Sequence, residues 1–127
     1  MKTKRILPLA AAFAVLLLLA SCATPPGKAT AGIPGVKSID MGRSLGRWYE
    51  ISRIPDPAVM GDVNDNRIIA LDEDYTWLVV TSRTKDYLWI MSRMPTMYTE
   101  VYDSIVSMAK GWGFDTSRLE KVRQEWD

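Results

Sequence analysis

The sequence predicts a mainly β domain with one C-terminal helix, and three observations predict it. Segments between Arg47 and Arg93 alternate apolar and polar residues with the two-residue period of a strand, and short polar clusters separate them. After Pro95 the apolar residues switch to helical spacing. The chain has 127 residues, 47% of them hydrophobic and 24% charged, which is enough for one small domain and too few for two.

In chain order, Arg47 to Ile54 places Trp48, Glu50, Ser52 and Ile54 on one face and Tyr49 and Ile51 on the other. Arg67 to Leu71 is a short apolar run closed by the turn cluster Asp72-Glu73-Asp74. Tyr75 to Ser82 is rich in β-branched and aromatic residues, and Arg83-Thr84-Lys85 reads as the next turn. Asp86 to Arg93 then sets Tyr87, Trp89 and Met91 opposite Leu88 and Ile90. Three such segments joined by short polar turns make an antiparallel meander, and Tyr75, Trp77, Tyr87 and Trp89 are candidates for either of its faces. Beyond Pro95, Val101, Tyr102, Ile105, Met108, Ala109 and Trp112 form one helical face. Thr99 is the expected N-cap, Glu100 suits the first turn, and Lys110 with Gly111 or Gly113 supplies the stop. Leu119 to Gln124 fits a final strand; a helix over Ser117 to Trp126 is the other reading.

The N-terminus carries Lys2, Lys4 and Arg5 and then an apolar run from Ile6 to Ala20, the pattern of an export signal. That run is shorter than the roughly 20 residues that span a bilayer. Leu19-Ala20-Ser21-Cys22 resembles the lipobox of bacterial lipoproteins; an ordinary signal peptide with an incidental cysteine is the alternative. The lipobox resemblance implies that residues 1–21 are removed and that Cys22 becomes an acylated N-terminus, with several chains making the anchor stable. Ala23 stands where an aspartate would favour the inner membrane, so the outer membrane is expected. Cys22 is the sole cysteine, and no disulfide framework exists. Residues 22–38 then comprise the lipidated cysteine and a flexible tether, whose stretch from Ala23 to Gly35 is Ala, Thr, Pro, Gly and Lys with one large apolar residue, Ile33, and 39–127 comprise the domain. From Cys22 onward 106 residues remain, with 13 Lys and Arg against 15 Asp and Glu. So mild a charge gives no footing for nucleic acid.

Gly46-Arg47-Trp48-Tyr49-Glu50 matches the G-x-W-[YF]-E signature of the lipocalins. Tyr87 to Pro95 resembles that family's last barrel strand with its terminal arginine, and the expected helix follows. Leu71 to Tyr75 resembles the second motif, with Asp74-Tyr75 standing for its core and no threonine before them. With the lipobox, the chain resembles the bacterial outer-membrane lipocalins over Ile39 to Arg53 and Arg67 to Gln124. The resemblance implies that Gly46, Trp48, Tyr49, Glu50, Asp74, Tyr75 and Arg93 are structural residues. It also implies that Arg93 lies over Trp48 and donates to backbone carbonyls; an ordinary core aromatic is the alternative for Trp48. Only Ile54 to Asn66 stands where a lipocalin places four strands and part of a fifth. A closed eight-stranded barrel needs on the order of 90 residues, and about 140 with its helix, final strand and lead-in. A partial lipocalin barrel is therefore expected, an open antiparallel sheet of about five strands. Its order is the Arg67 strand, the Tyr75 strand, the Tyr87 strand, the Trp48 strand and the C-terminal strand, with the helix over part of the outer face. Trp77, Tyr87 and Trp89 are the candidate ligand wall on its inner face.

The function this implies is a membrane-anchored, lipocalin-like protein that binds or carries small hydrophobic ligands such as palmitate, other fatty acids or lysophospholipids, without a cofactor. An interaction module that forms homo-oligomers through its sheet, and a degenerate lipocalin with impaired binding, are the other readings. No histidine, no free thiol beside a lipidated Cys22, no Gly-rich phosphate loop and no spaced carboxylate pair leave no assembled nucleophile and base, so no catalytic residues are expected. Asp72-Glu73-Asp74 lacks EF-hand spacing and is read as a solvated turn, not a metal site.

Overall fold

The computed structural model describes residues 30, 32–55 and 66–125. The expected signal peptide, Cys22 and residues 56–65 lie outside the described residues. Five strands, β1 Tyr49–Ile54, β2 Arg67–Leu71, β3 Trp77–Thr81, β4 Leu88–Ser92 and β5 Glu120–Lys121, form one antiparallel sheet in the order β2-β3-β4-β1-β5. That is the order the sequence reading expected, and the sheet does not close on itself. A four-residue helix α1, Met41–Ser44, precedes β1, and α2, Thr99–Gly111, follows β4.

The strict alternation expected in the first strand is broken by a bulge. Glu50 pairs with Met91 and Ser52 with Ile90, so Ile51 is the extra residue. Ile51 and Ser52 are both buried in consequence. Glu50, expected to share a face with Ser52 and Ile54, is thrown to the opposite one, where it joins Arg53. A second bulge at Ile69 separates the Ile68–Val80 and Ala70–Val79 pairs and buries Ile69.

Helix α2 covers the face that carries Ile54, Val79, Leu88 and Ile90, which cluster with Ile105, Ala109 and Phe114. The Tyr102 hydroxyl donates to Ser52 Oγ at 3.0 Å, so the polar Ser52 is satisfied within the core. Tyr98, not Thr99, is the N-cap, and no side chain caps the helix start. The C-terminus is better built: Gly113 at φ 88° donates to the Lys110 carbonyl, and Phe114 donates to that of Ala109. This is a Schellman motif, with Phe114 and Ala109 buried against one another's cluster. A 3-10 turn over Thr116–Arg118 then leads into β5. The tail is thus a strand rather than a helix, though only two residues long, extended by the Val122 N–H donating to the Ile51 carbonyl. Tyr75 was expected to open β3, and instead sits in the preceding turn at φ 58°.

The tether is docked earlier than expected. Thr30 donates from its backbone to the Arg83 carbonyl and from its hydroxyl to that of Ser82, while Arg67 Nη2 donates to the Thr30 carbonyl. Ile33 is buried in the core, and Val36 N–H reaches the Ile68 carbonyl. Within the stretch expected as tether, Thr30, Ile33 and Val36 thus already contact the sheet. Ile54, Leu88, Thr81 and Arg67 lie in one row across the sheet. The chain leaves β1 and rejoins at β2 on that same row, three strand spacings or about 14 Å apart. The short link can span this distance.

Two glycines near the end of α2 should respond oppositely to alanine. At Gly113 a side chain is strained by the positive φ and would meet Lys85 Nζ at 3.1 Å, whereas at Gly111 nothing lies within 4 Å. Urea unfolding should show Gly113→Ala lowering stability by about 1 kcal/mol and Gly111→Ala holding or raising it by up to about 1 kcal/mol. Changes of the same sign would refute the cap.

Candidate functional site

Two constructions occupy the sheet: a knot of side chains at one end, and the face turned away from α2. At the knot, Asp40 caps α1 by accepting from the Arg43 N–H, and the Trp48 indole donates to the Ser44 carbonyl at 3.0 Å. Gly46, at φ 100°, turns the chain between them. The Arg93 guanidinium lies 3.8 Å from the centre of the Trp48 ring. From there it donates to the carbonyls of Arg47 (3.1 Å), Arg43 and Tyr75 (3.4 Å). A Cβ on Gly46 would stand 3.2 Å from Arg93 Nη1, so the close approach needs glycine as much as the turn does.

Tyr75 belongs to the same knot. Its left-handed backbone costs on the order of 1–3 kcal/mol. Three contacts offset this: its carbonyl accepts from Arg93, its hydroxyl accepts from the Asp40 N–H at 2.9 Å, and its ring lies 4.1 Å from the Arg43 guanidinium. Arg43 and Asp40 were missed by sequence reasoning, because nothing in the lead-in signals that they fold back over a tyrosine more than thirty positions away. Of the expected motif residues, Gly46, Trp48, Tyr75 and Arg93 meet. Tyr49 and Glu50 enter β1 on opposite faces, and Asp74 is exposed in the turn.

The face away from α2 is read from the register. One row is Leu71, Leu78, Met91 and Glu50; the next is Ile68, Val80, Trp89 and Arg53. Tyr87 follows on the same side, its ring edge-on to Trp89 with centroids 4.4 Å apart. Apolar side chains thus form a continuous wall bordered on β1 by the Glu50–Arg53 ion pair, 3.3 Å long. The Trp89 indole N–H is buried without a hydrogen-bond partner, a donor left over on an otherwise apolar surface. Burial raises the Tyr87 phenol above its ordinary value; the Glu50 carboxylate adds to the rise and Arg53 opposes it. Trp77, expected on this wall with Tyr87 and Trp89, is not there. It pairs with Ser92, in the row of Tyr49, and packs against the core on the α2 side. Among the described residues no group of three or more His, Cys, Asp or Glu could hold a metal ion, and no helix is long and apolar enough to cross a membrane.

A lipocalin-like domain family matches residues 60–124. The chain is similar to the outer membrane lipoprotein Blc of Escherichia coli K12, with 26% identity over 175 residues that take in 94% of this chain and 98% of the relative. It is similar to the Blc of Citrobacter freundii at 26% over 176 residues, with the same shares of each protein. It is also similar to temperature-induced lipocalin-1 of Arabidopsis thaliana, at 35% over 78 residues, which is 61% of this chain and 40% of that protein. The Blc alignments are longer than the chain itself, so part of each relative has no counterpart in it.

The knot and the wall each have a measurable signature. A double-mutant cycle of Trp48→Ala and Arg93→Ala should give a coupling of about 0.5–2 kcal/mol; additive costs would mean the stack contributes nothing. Because the Tyr87 phenol is raised in the folded state, its contribution to stability is intact below the ordinary value near 10 and is lost as pH climbs above it. Tyr87→Phe should flatten the alkaline decline in unfolding free energy, and an unchanged decline would place its cause elsewhere.

Proposed function

The chain belongs to the lipocalin-like family, and on that premise we propose that it is a lipid-anchored outer-membrane protein that holds fatty acids or lysophospholipids against the open wall of its sheet. The observation that carries this reading is the continuous apolar patch of the half-buried Ile68, Leu71, Val80, Trp89 and Met91 around the buried Leu78 on the side away from α2. An acyl chain laid along it gains up to about 0.8 kcal/mol for each methylene removed from water, and less where one side stays wet. Arg53 stands opposite Trp89 and can meet an acidic headgroup, while the unpartnered Trp89 N–H supplies a further donor. Holding a ligand in this way needs no catalytic group, and a non-enzymatic role is part of the proposal.

The anchor is inferred from Leu19-Ala20-Ser21-Cys22 and from the Blc relatives, whose names describe outer membrane lipoproteins. With Thr30 docked on the sheet, an acylated Cys22 would hold the domain on a short leash rather than a long one. A sheet-pairing module fits less well. β5, on the β1 edge, presents only the exposed charges of Glu120 and Lys121, which oppose edge-to-edge association.

The test is a tryptophan-fluorescence titration of the full-length chain in lipid nanodiscs, with empty discs as the reference. Palmitate should bind saturably in the micromolar range, and shortening it by four methylenes should weaken binding at least tenfold. Trp89→Ala should cost a comparable factor. No saturable binding, or no dependence on chain length, would sink the proposal and leave a lipocalin that has lost its ligand.

A further inference from the structure

The α2 side of the sheet has a cleft of its own, separate from the wall. It encloses about 520 Å³ between the Trp77–Ser92 row and the segment that leads into α2. Such a volume lies within the usual range of small-molecule sites. Trp77, Met94, Met97, Tyr98 and Val101 supply its apolar lining, and Asp72 is the one charged residue among the described residues that line it. Met94 and Tyr98 are 64% and 82% exposed, so the apolar surface at the cleft is left to solvent. The Asp72 carboxylate accepts from the Thr76 N–H and hydroxyl, which hold it below the usual carboxylate range and so ionised.

The surrounding charge has the same sign. Glu73 and Asp74 follow Asp72 in the turn, and Glu100 in the first turn of α2 counters the partial positive charge of that helix end. The nearby cations are committed elsewhere: Arg43 to the Tyr75 ring and the Glu73 carbonyl, Arg93 to Trp48 and three carbonyls. An apolar cleft with one ionised carboxylate and two aromatic rings suits an organic cation, which can use both the ion pair and the ring faces. We propose that this cleft binds a small amphiphile with an ammonium headgroup, the headgroup at Asp72 and the tail among Trp77, Met97 and Val101. Because Trp77 faces α2 and Trp89 faces the other way, the two ligands occupy opposite sides of the sheet.

The experiment measures equilibrium binding of octyltrimethylammonium, below its micelle concentration, to the full-length chain in nanodiscs, with octyl sulfate and empty discs as comparisons. The cation should bind saturably and at least tenfold more tightly than the sulfate. Asp72→Asn, which keeps an acceptor for Thr76, should abolish that preference. Tyr98→Ala, at an exposed position, should weaken the cation severalfold without altering the fold by circular dichroism. Saturating palmitate should leave cation binding unchanged, whether or not palmitate itself proves to be a ligand. Equal affinity for cation and sulfate, no binding above empty discs, indifference to Asp72→Asn, or displacement by palmitate would each overturn the proposal.

Discussion

The Arg93 guanidinium is the point on which the described structure converges. It ends β4, stacks on Trp48, and donates to carbonyls of α1, of the lead-in to β1 and of the β2–β3 turn. A planar fork of fixed donors can do this because it reaches several acceptors while its face lies flat on an indole. A lysine offers one point of charge and could not hold three segments in register. The strained Tyr75 depends on the same group, since Arg93 takes up the carbonyl that the left-handed turn presents. The knot therefore ties the neighbouring strands β1 and β4 and the β2–β3 turn together at one end of the sheet, with β2 and β3 extending from the β4 side and β5 from the β1 side.

The bulge at Ile51 decides what each face is for. By inserting one residue it sends Ile51 and Ser52 together into the α2 core and leaves Glu50 and Arg53 beside Trp89 and Met91. A regular strand would have put a carboxylate on the face where Ser52 now bonds Tyr102. The wall and the core are consequently distinct in chemistry: one is apolar with a charged margin, the other is packed by α2 with the hydroxyls of Ser52, Thr81 and Ser92 hydrogen-bonded. The cleft lined by Trp77 belongs to the second face, which is why its ligand chemistry can differ from that of the wall.

The shortened middle of the chain is compatible with this sheet for a topological reason. Three antiparallel steps make β1 and β2 antiparallel to each other, and their joined ends share the row of Ile54 and Arg67. Leaving out an even number of strands preserves that arrangement, whereas an odd number would leave the two ends on opposite sides. An unclosed barrel can thus keep the lipocalin knot, its neighbouring strands and its helix while lacking the remaining wall. Docking of Thr30 and Ile33 adds cover to the β2 side of the sheet, the edge at which no further described strand pairs.

The sequence by itself determined the kinds of the main elements, their order and the Trp48–Arg93 pair at the centre of the knot. Alternation, helical spacing and turn chemistry are local, and the lipocalin signature carries its partner arginine with it. Only the tertiary structure decided which face each aromatic takes. One inserted residue reverses the sides of everything before it in a strand, and nothing in the Tyr49–Ile54 composition marks Ile51 as that residue. Trp77 and Trp89 look alike as strand tryptophans, yet registry with β4 and β1 sends them to opposite sides of the sheet. Ile33 likewise reads as a lone apolar residue in a tether, because its burial depends on a core that the chain builds only later.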